Sequence, residues 1–350
     1  MRKFLKIIKY TFITIIGFCL LFSVYFFISN KLFLGSKNQE NITYLTNNII
    51  EIEKTINDQL FDDDFYKSQV FLLGEIHGFA DNQKLDKELL FFLNKKIGVK
   101  YYIAEMDSIT AQKLNYFLTD SIKNKQTLKE VVLAIKNRIP QQSSQELFDK
   151  WNMIYDYNQK LADSVKIKVI GIDKNFDDYS TGSRDEAMVL NFKNTIKKQK
   201  LENEKFYGLF GFFHALQNND KRETFASGLK KMGIKTTSFV SYTLDSEMYL
   251  PKNPQFPTPD NEKVDWLNAD GPLQLVKGIN DLKEVSKPNA ITLFKLNSKN
   301  SPYLKSQNLI SIKSRLIGEN IVPEAGTRTT DYFQYVFLLR NSKALTTLKQ

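Results

Sequence analysis

The sequence predicts an α/β domain, a mostly parallel central sheet flanked by helices, with a helical insertion and one transmembrane helix ahead of it. Three observations lead there. Residues 10–28 hold nineteen consecutive positions without a charge. From residue 69 onward, short apolar, β-rich runs recur, which read as strands buried on both faces. Helical patterns with recognisable ends lie between several of these runs, and strand–helix alternation argues for parallel strands covered by helices.

In chain order, the apolar run YTFITIIGFCLLFSVYFFI comes first. At the α-helical rise it spans about 28 Å, close to the hydrocarbon thickness of a bilayer. Arg2, Lys3, Lys6 and Lys9 precede it and Lys31 follows. By the positive-inside rule the N-terminus stays in the cytoplasm and the rest is exported to the periplasm or cell surface. A cleaved signal peptide would begin the same way, but the run is long and no small-x-small site follows it. The expected division is therefore a cytoplasmic tip and anchor at 1–35, a stalk at 36–66 and an α/β domain at 67–350. The stalk carries a helical pattern through Tyr44, Leu45, Ile49, Ile52 and Ile56 and ends in the acidic run Asp62-Asp63-Asp64, read as solvated.

Within the domain the expected strands are 70–73, 101–104, 167–172, 206–213, 236–242, 290–296 and 333–339. A helix beginning near Asp81 and carrying Leu85, Leu89, Leu90 and Leu93 should stop at Gly98. Ser183-Arg184-Asp185-Glu186 reads as a capping box opening a helix through Met188, Leu190 and Phe192. Gly233 closes a helix containing Phe225, Leu229 and Met232. Residues 109–165 look all-helical, an insertion or a cap over one edge of the sheet. Residues 251–259 hold four of the nine prolines and read as a surface loop or lid.

Composition excludes several function classes. One cysteine, Cys19, rules out an internal disulfide, a thiolate zinc site and an iron–sulfur cluster. Two histidines rule out a three-histidine zinc centre. The net charge of +10 is not a nucleic-acid signature. Five positives lie before residue 36, and the rest of the chain balances 44 basic against 39 acidic side chains. There is no G-x-S-x-G elbow, no P-loop and no G-x-G-x-x-G after a strand.

Ligands of open α/β sheets bind beyond the carboxyl ends of the strands. There the sequence places Gly74-Glu75-Ile76-His77-Gly78, then Glu105, then Asp173, and finally Gly211-Phe212-Phe213-His214. Charge at a buried strand end is costly unless it is paired, metal-bound or used. Both histidines follow a glycine by three residues, and glycine permits a close backbone approach at such a point.

These motifs, with Ile103-Ala104-Glu105, Gly171-Ile172-Asp173 and Arg184-Asp185-x-x-Met188-x-x-Asn191 in the same order, resemble the erythromycin esterase / ChaN-like superfamily, relatives of the TraB/Tiki proteins with paired G-x-x-H motifs. The resemblance covers about residues 69–242. One difference is local: a single residue, Ile76, separates Glu75 from His77, where the esterases have two. The resemblance implies a cleft in which Glu75 and His77 face His214, Glu105 and Asp173 line the walls for substrate, and Arg184 enters from a helix N-terminus. It implies hydrolysis of an ester or amide in a small-molecule or peptide substrate, with Glu75, His77, His214 and Arg184 catalytic. A histidine near neutrality can take a proton from water, and an arginine can stabilise an oxyanion. Glu75, His77, Glu105 and His214 could instead hold Zn²⁺ or Mn²⁺. The alternative implied by the ChaN branch is a non-catalytic haem or ligand binder, and a third reading is a partner-binding ectodomain.

Overall fold

The computed structural model describes residues 2–348 except 54, 177, 179–181, 220, 254–257 and 316–318. An eight-stranded sheet forms the centre. Its strands are β1 (Ile49–Ile52), β2 (Val70–Glu75), β3 (Tyr101–Ala104), β4 (Lys168–Gly171), β5 (Phe206–Gly211), β6 (Thr236–Leu244), β7 (Ile291–Lys295) and β8 (Tyr335–Arg340). The spatial order is β1-β7-β8-β6-β2-β5-β3-β4. The six strands from β8 to β4 run parallel, and β7 lies antiparallel between β1 and β8. All seven strands expected from the sequence are present. The apolar run of β7 did not reveal its direction, because burial on both faces looks the same in either sense.

The helices are α1 (Arg2–Leu34), α2 (Gln39–Asn47), α3 (Asp63–Tyr66), α4 (Ala80–Ile97), α5 (Ser108–Thr119), α6 (Lys125–Ile135), α7 (Gln145–Asn158), α8 (Arg184–Gln199), α9 (Phe225–Lys231) and α10 (Ile279–Val285). Alternation along β2 sends Phe71 and Leu73 into the core beneath α4–α7, and Val70 and Leu72 into the core beneath α8 and α9. The expected helical segment 109–165 is thus α5–α7, covering one face of the sheet. Gly98 ends α4 in a left-handed conformation at φ 71°, as its position suggested. The α4 start differs: the cap is Phe79, and Asp81 sits in the first turn, where a negative charge favours the helix dipole.

Between α4 and α7 one ion pair is fully enclosed. The Asp86 carboxylate accepts from Lys150 (2.6 Å), Tyr102 (2.9 Å) and Tyr207 (2.7 Å), and none of it reaches solvent. Complete hydrogen bonding is what makes such burial tolerable.

The segment 36–66 is not a solvated stalk. Asn41 donates to Asp281 (2.7 Å) where α2 packs on α10, Leu45 is buried, and β1 is the edge strand of the main sheet. Asp62 caps α3, accepting the Phe65 N–H at 3.0 Å, and pairs with Lys295 of β7. The misreading has a plain cause. Ile49, Ile52 and Ile56 also satisfy a helical spacing, and the acidic run looks free until Lys295 comes beside it.

Helix α1 is long and apolar enough to cross a membrane, and none of its apolar window is buried. Its last turns dock on the domain. Asn30 donates to the Pro272 carbonyl (3.2 Å) and accepts from Arg315 (2.5 Å), and the Leu34 carbonyl accepts the Gly278 N–H (3.0 Å). The centre of the expected loop at 251–259 lies outside the described residues.

Candidate active site

Strand register builds the site. In the parallel pair β2/β5, Gly74 lies opposite Phe210 and Glu75 opposite Gly211, so the two glycine–histidine motifs leave the sheet side by side. The order β2-β5-β3-β4 then sets Glu75, Gly211, Glu105 and Asp173 in sequence along the same edge.

The glycines fit the two motifs into each other. A Cβ on Gly74 would lie 2.8 Å from the Ala215 Cβ, in the second motif. A Cβ on Gly211 would lie 3.2 Å from His77 Nε2 and 3.5 Å from His214 Cδ2, so these ring atoms are at most about 7 Å apart. Both imidazoles therefore border Gly211.

Their partners differ. His77 Nδ1 donates to Glu75 Oε1 (3.0 Å), which also accepts from Gln142 Nε2 (2.8 Å), so Glu75 fixes the ring with Nε2 turned toward Gly211. His214 is held at both nitrogens. Nδ1 donates to Asp185 Oδ1 (2.6 Å), and Nε2 lies 3.4 Å from Glu105 Oε1. Asp185 also accepts the Phe225 N–H (2.7 Å) at the start of α9, so its position is fixed from two sides.

Arg184, the first residue of α8, points back across the sheet edge. It donates to Glu105 Oε1 (2.8 Å) and, through Nε, to Asp173 Oδ1 (3.2 Å), with Nη2 on the other Asp173 oxygen. A cation is disfavoured at a helix N-terminus, and the two carboxylates offset that cost. The remaining Glu105 oxygen accepts the Gly211 N–H (2.8 Å). Ser183 caps the helix by accepting the Glu186 N–H (3.3 Å), and Asn191 donates to the Ile172 carbonyl (3.0 Å), tying α8 to the end of β4.

Burial alone would favour neutral rings. In His214 it is outweighed by the Glu105 charge and by the hydrogen bond and charge of Asp185, which push the pKa up to about 9. In His77 burial is likewise outweighed, by the bond to Glu75 and the charges of Glu75 and Glu105, and the pKa is raised. Glu105 is driven well below the usual carboxylate range: burial opposes this, but His214, His77 and Arg184 together prevail. At neutral pH His214 is therefore an imidazolium locked between carboxylates.

A cleft of about 360 Å³ opens over these groups. Glu75, His77, Glu105, Arg184, Gly211 and His214 line it, as do the charged Arg138, Arg222 and Glu319. Asp173 does not line it; it is buried behind Arg184 and holds that side chain. Its expected contact with substrate is replaced by a positioning role. Two residues that hold the histidines, among others of the cleft, were missed. Asp185 was visible in the motif as a neighbour of Arg184, but only the fold brings it to His214. Gln142 lies in a single 3₁₀ turn before α7 and carries no periodic signal.

The expected metal set of Glu75, His77, Glu105 and His214 does not fit a metal. Both His214 nitrogens and both Glu105 oxygens are already engaged, and among the described residues no three potential ligands converge on a metal position.

No protein-family model matches the chain, and no curated protein matches it. Solved structures do. An EreC erythromycin esterase variant in its open conformation aligns over 81% of this chain and 93% of its own, with TM-score 0.58 and 9% identity. The chain has the fold of the erythromycin esterases. A succinoglycan biosynthesis protein aligns over 90% of this chain and 100% of its own (TM-score 0.61, 13% identity). A Bacillus cereus protein aligns over the same shares (TM-score 0.59, 11% identity). At these identities the likeness is one of fold, on which the resemblance read from the motifs now rests.

Proposed function

We infer that the chain is a membrane-anchored hydrolase of an ester or amide, with α1 as its anchor, its N-terminus in the cytoplasm and its domain outside. One observation carries the reading: Glu75 fixes His77 through Nδ1, and among the described residues Nε2 is the one imidazole nitrogen in the cleft without a carboxylate or amide partner. His77 Nε2 takes a proton from water, and the water oxygen forms a bond to the acyl carbon. The carbonyl electrons move onto oxygen, where the charges of His214 and Arg184 stabilise them. When they return, the bond to the alkoxy or amino group breaks, and the leaving group takes the proton from His77. Products are a carboxylic acid and an alcohol or amine. Haem binding is less well supported, since both nitrogens of His214 are engaged.

The test uses intact cells producing the chain and a sulfonated aryl ester that cannot cross membranes. Turnover by intact cells is expected, and His77→Ala should lower it by about 10²–10⁴-fold, the usual share of general-base catalysis. Turnover appearing only after lysis would overturn the orientation, and an unaffected His77→Ala variant would overturn the base assignment.

A further inference from the structure

The anchor ends against the wall of the cleft. Arg315 binds Asn30 and lies 4.1 Å above the Phe26 ring, while Lys313 sits over Phe33. Both basic residues belong to the chain segment that includes the short strand Ile312–Ser314, paired with Gln274–Val276, which itself touches α1. That strand pair also borders the cleft. Ile312 and Ile321 line the cleft on one side and a second cavity, walled by Leu32 and Phe33 of the anchor, on the other.

Membrane dimensions fix the depth. With residues 10–28 spanning the hydrocarbon, Ser29, Asn30 and Lys31 fall in the headgroup layer. Arg315, whose guanidinium donates to Asn30 and lies over the Phe26 ring, must lie where that layer meets the hydrocarbon. The rim made by Ile312 and Ile321 therefore meets the bilayer surface, with no flexible spacer between. Ile76, Ile139, Phe212 and Phe213 supply apolar lining to the cleft, and Arg138, Arg222 and Glu319 add charge to it beside the groups at the sheet edge. A cleft beside a membrane surface that offers both apolar lining and charged groups suits a molecule with a hydrocarbon chain and a polar head.

We propose that the substrate is an amphiphile held in the bilayer, its ester or amide reaching the Glu75–His77 pair while its hydrocarbon chain lies along Ile312 and Ile321 toward α1. The hydrolytic step rests on the reading of Glu75 and His77 given above. Placement of the amphiphile rests on the docking of α1.

Two measurements on the full chain in phosphatidylcholine vesicles separate these. In the first, the vesicles contain a phosphatidylcholine with a diazirine in its acyl chain. Illumination should leave label on Phe212 or Phe213 inside the cleft. Label confined to α1 overturns the placement. In the second, 4-methylumbelliferyl oleate in the bilayer is compared with the water-soluble acetate. A preference for oleate of at least about tenfold in kcat/KM is expected, equivalent to burying two methylenes. A preference for acetate overturns the substrate class. Turnover of neither ester, with the cleft labelled, overturns the hydrolytic reading and leaves the amphiphile in place.

Discussion

Replacing Asp185 by asparagine tests the electrostatic design of the site most directly. The variant keeps the shape of the side chain and removes the charge that holds His214 at 2.6 Å. A hydrogen bond between charged groups contributes about 1.5–3 kcal/mol. At about 1.4 kcal/mol per pH unit, its loss brings the His214 pKa from about 9 down to about 7–8. Because the chain has only two histidines, proton–carbon NMR of the full chain in detergent micelles shows two imidazole signals, separable with a His77→Ala control. The rate should follow the same titrations. In the wild type, activity rises as His77 loses its proton above its ordinary pKa and falls as His214 loses its own near pH 9. The Asp185→Asn variant should bring the falling limb down to about pH 7–8. Stability carries the same sign. A histidine with a raised folded pKa stabilises fully below pH 6.5, and His214 loses that contribution as pH rises through about 9. The variant should therefore lose about 1.5–3 kcal/mol at pH 6 and little at pH 10. A wild-type His214 that titrates near 6.5, or a variant whose falling limb does not move, refutes this account.

Gly211→Ala should act on the chemistry and spare the fold. The residue has φ −55° and ψ 144°, which alanine adopts freely. Its methyl would press His77 Nε2 at 3.2 Å, so kcat should fall about 10–100-fold with unfolding free energy changed by less than about 1 kcal/mol. Unchanged kcat would show that His77 has room to move. Lys150→Met should do the reverse of sparing the fold. It leaves the Asp86 carboxylate enclosed without its cation, and denaturant unfolding should show a loss of about 3–5 kcal/mol. A neutral result would mean that the two tyrosines suffice for Asp86.

The sheet was legible because buried parallel strands are apolar without alternation, and glycine marks where they end. The paired glycine–histidine motifs were legible for a sharper reason. Each glycine makes room for the other motif, Gly74 for Ala215 and Gly211 for His77, so their spacing records a contact. Partner choice was not legible. Asp185 reads as helix-start chemistry until α8 brings it to His214, and Asp173 reads as a cleft residue until Arg184 covers it. The edge strand β1 was hidden because four residues of strand inside a helical spacing carry too little pattern to decide between them.

The position of β1 also governs how the domain can be produced apart from α1. A chain cut at residue 67, where the acidic run suggests a boundary, would leave β7 with a bare row of backbone donors and acceptors along a hydrophobic strand, which invites aggregation. It would also strip Asp281 of Asn41 and Lys295 of Asp62. A soluble form has to begin before Asn38, retaining the helix and the strand that finish the sheet.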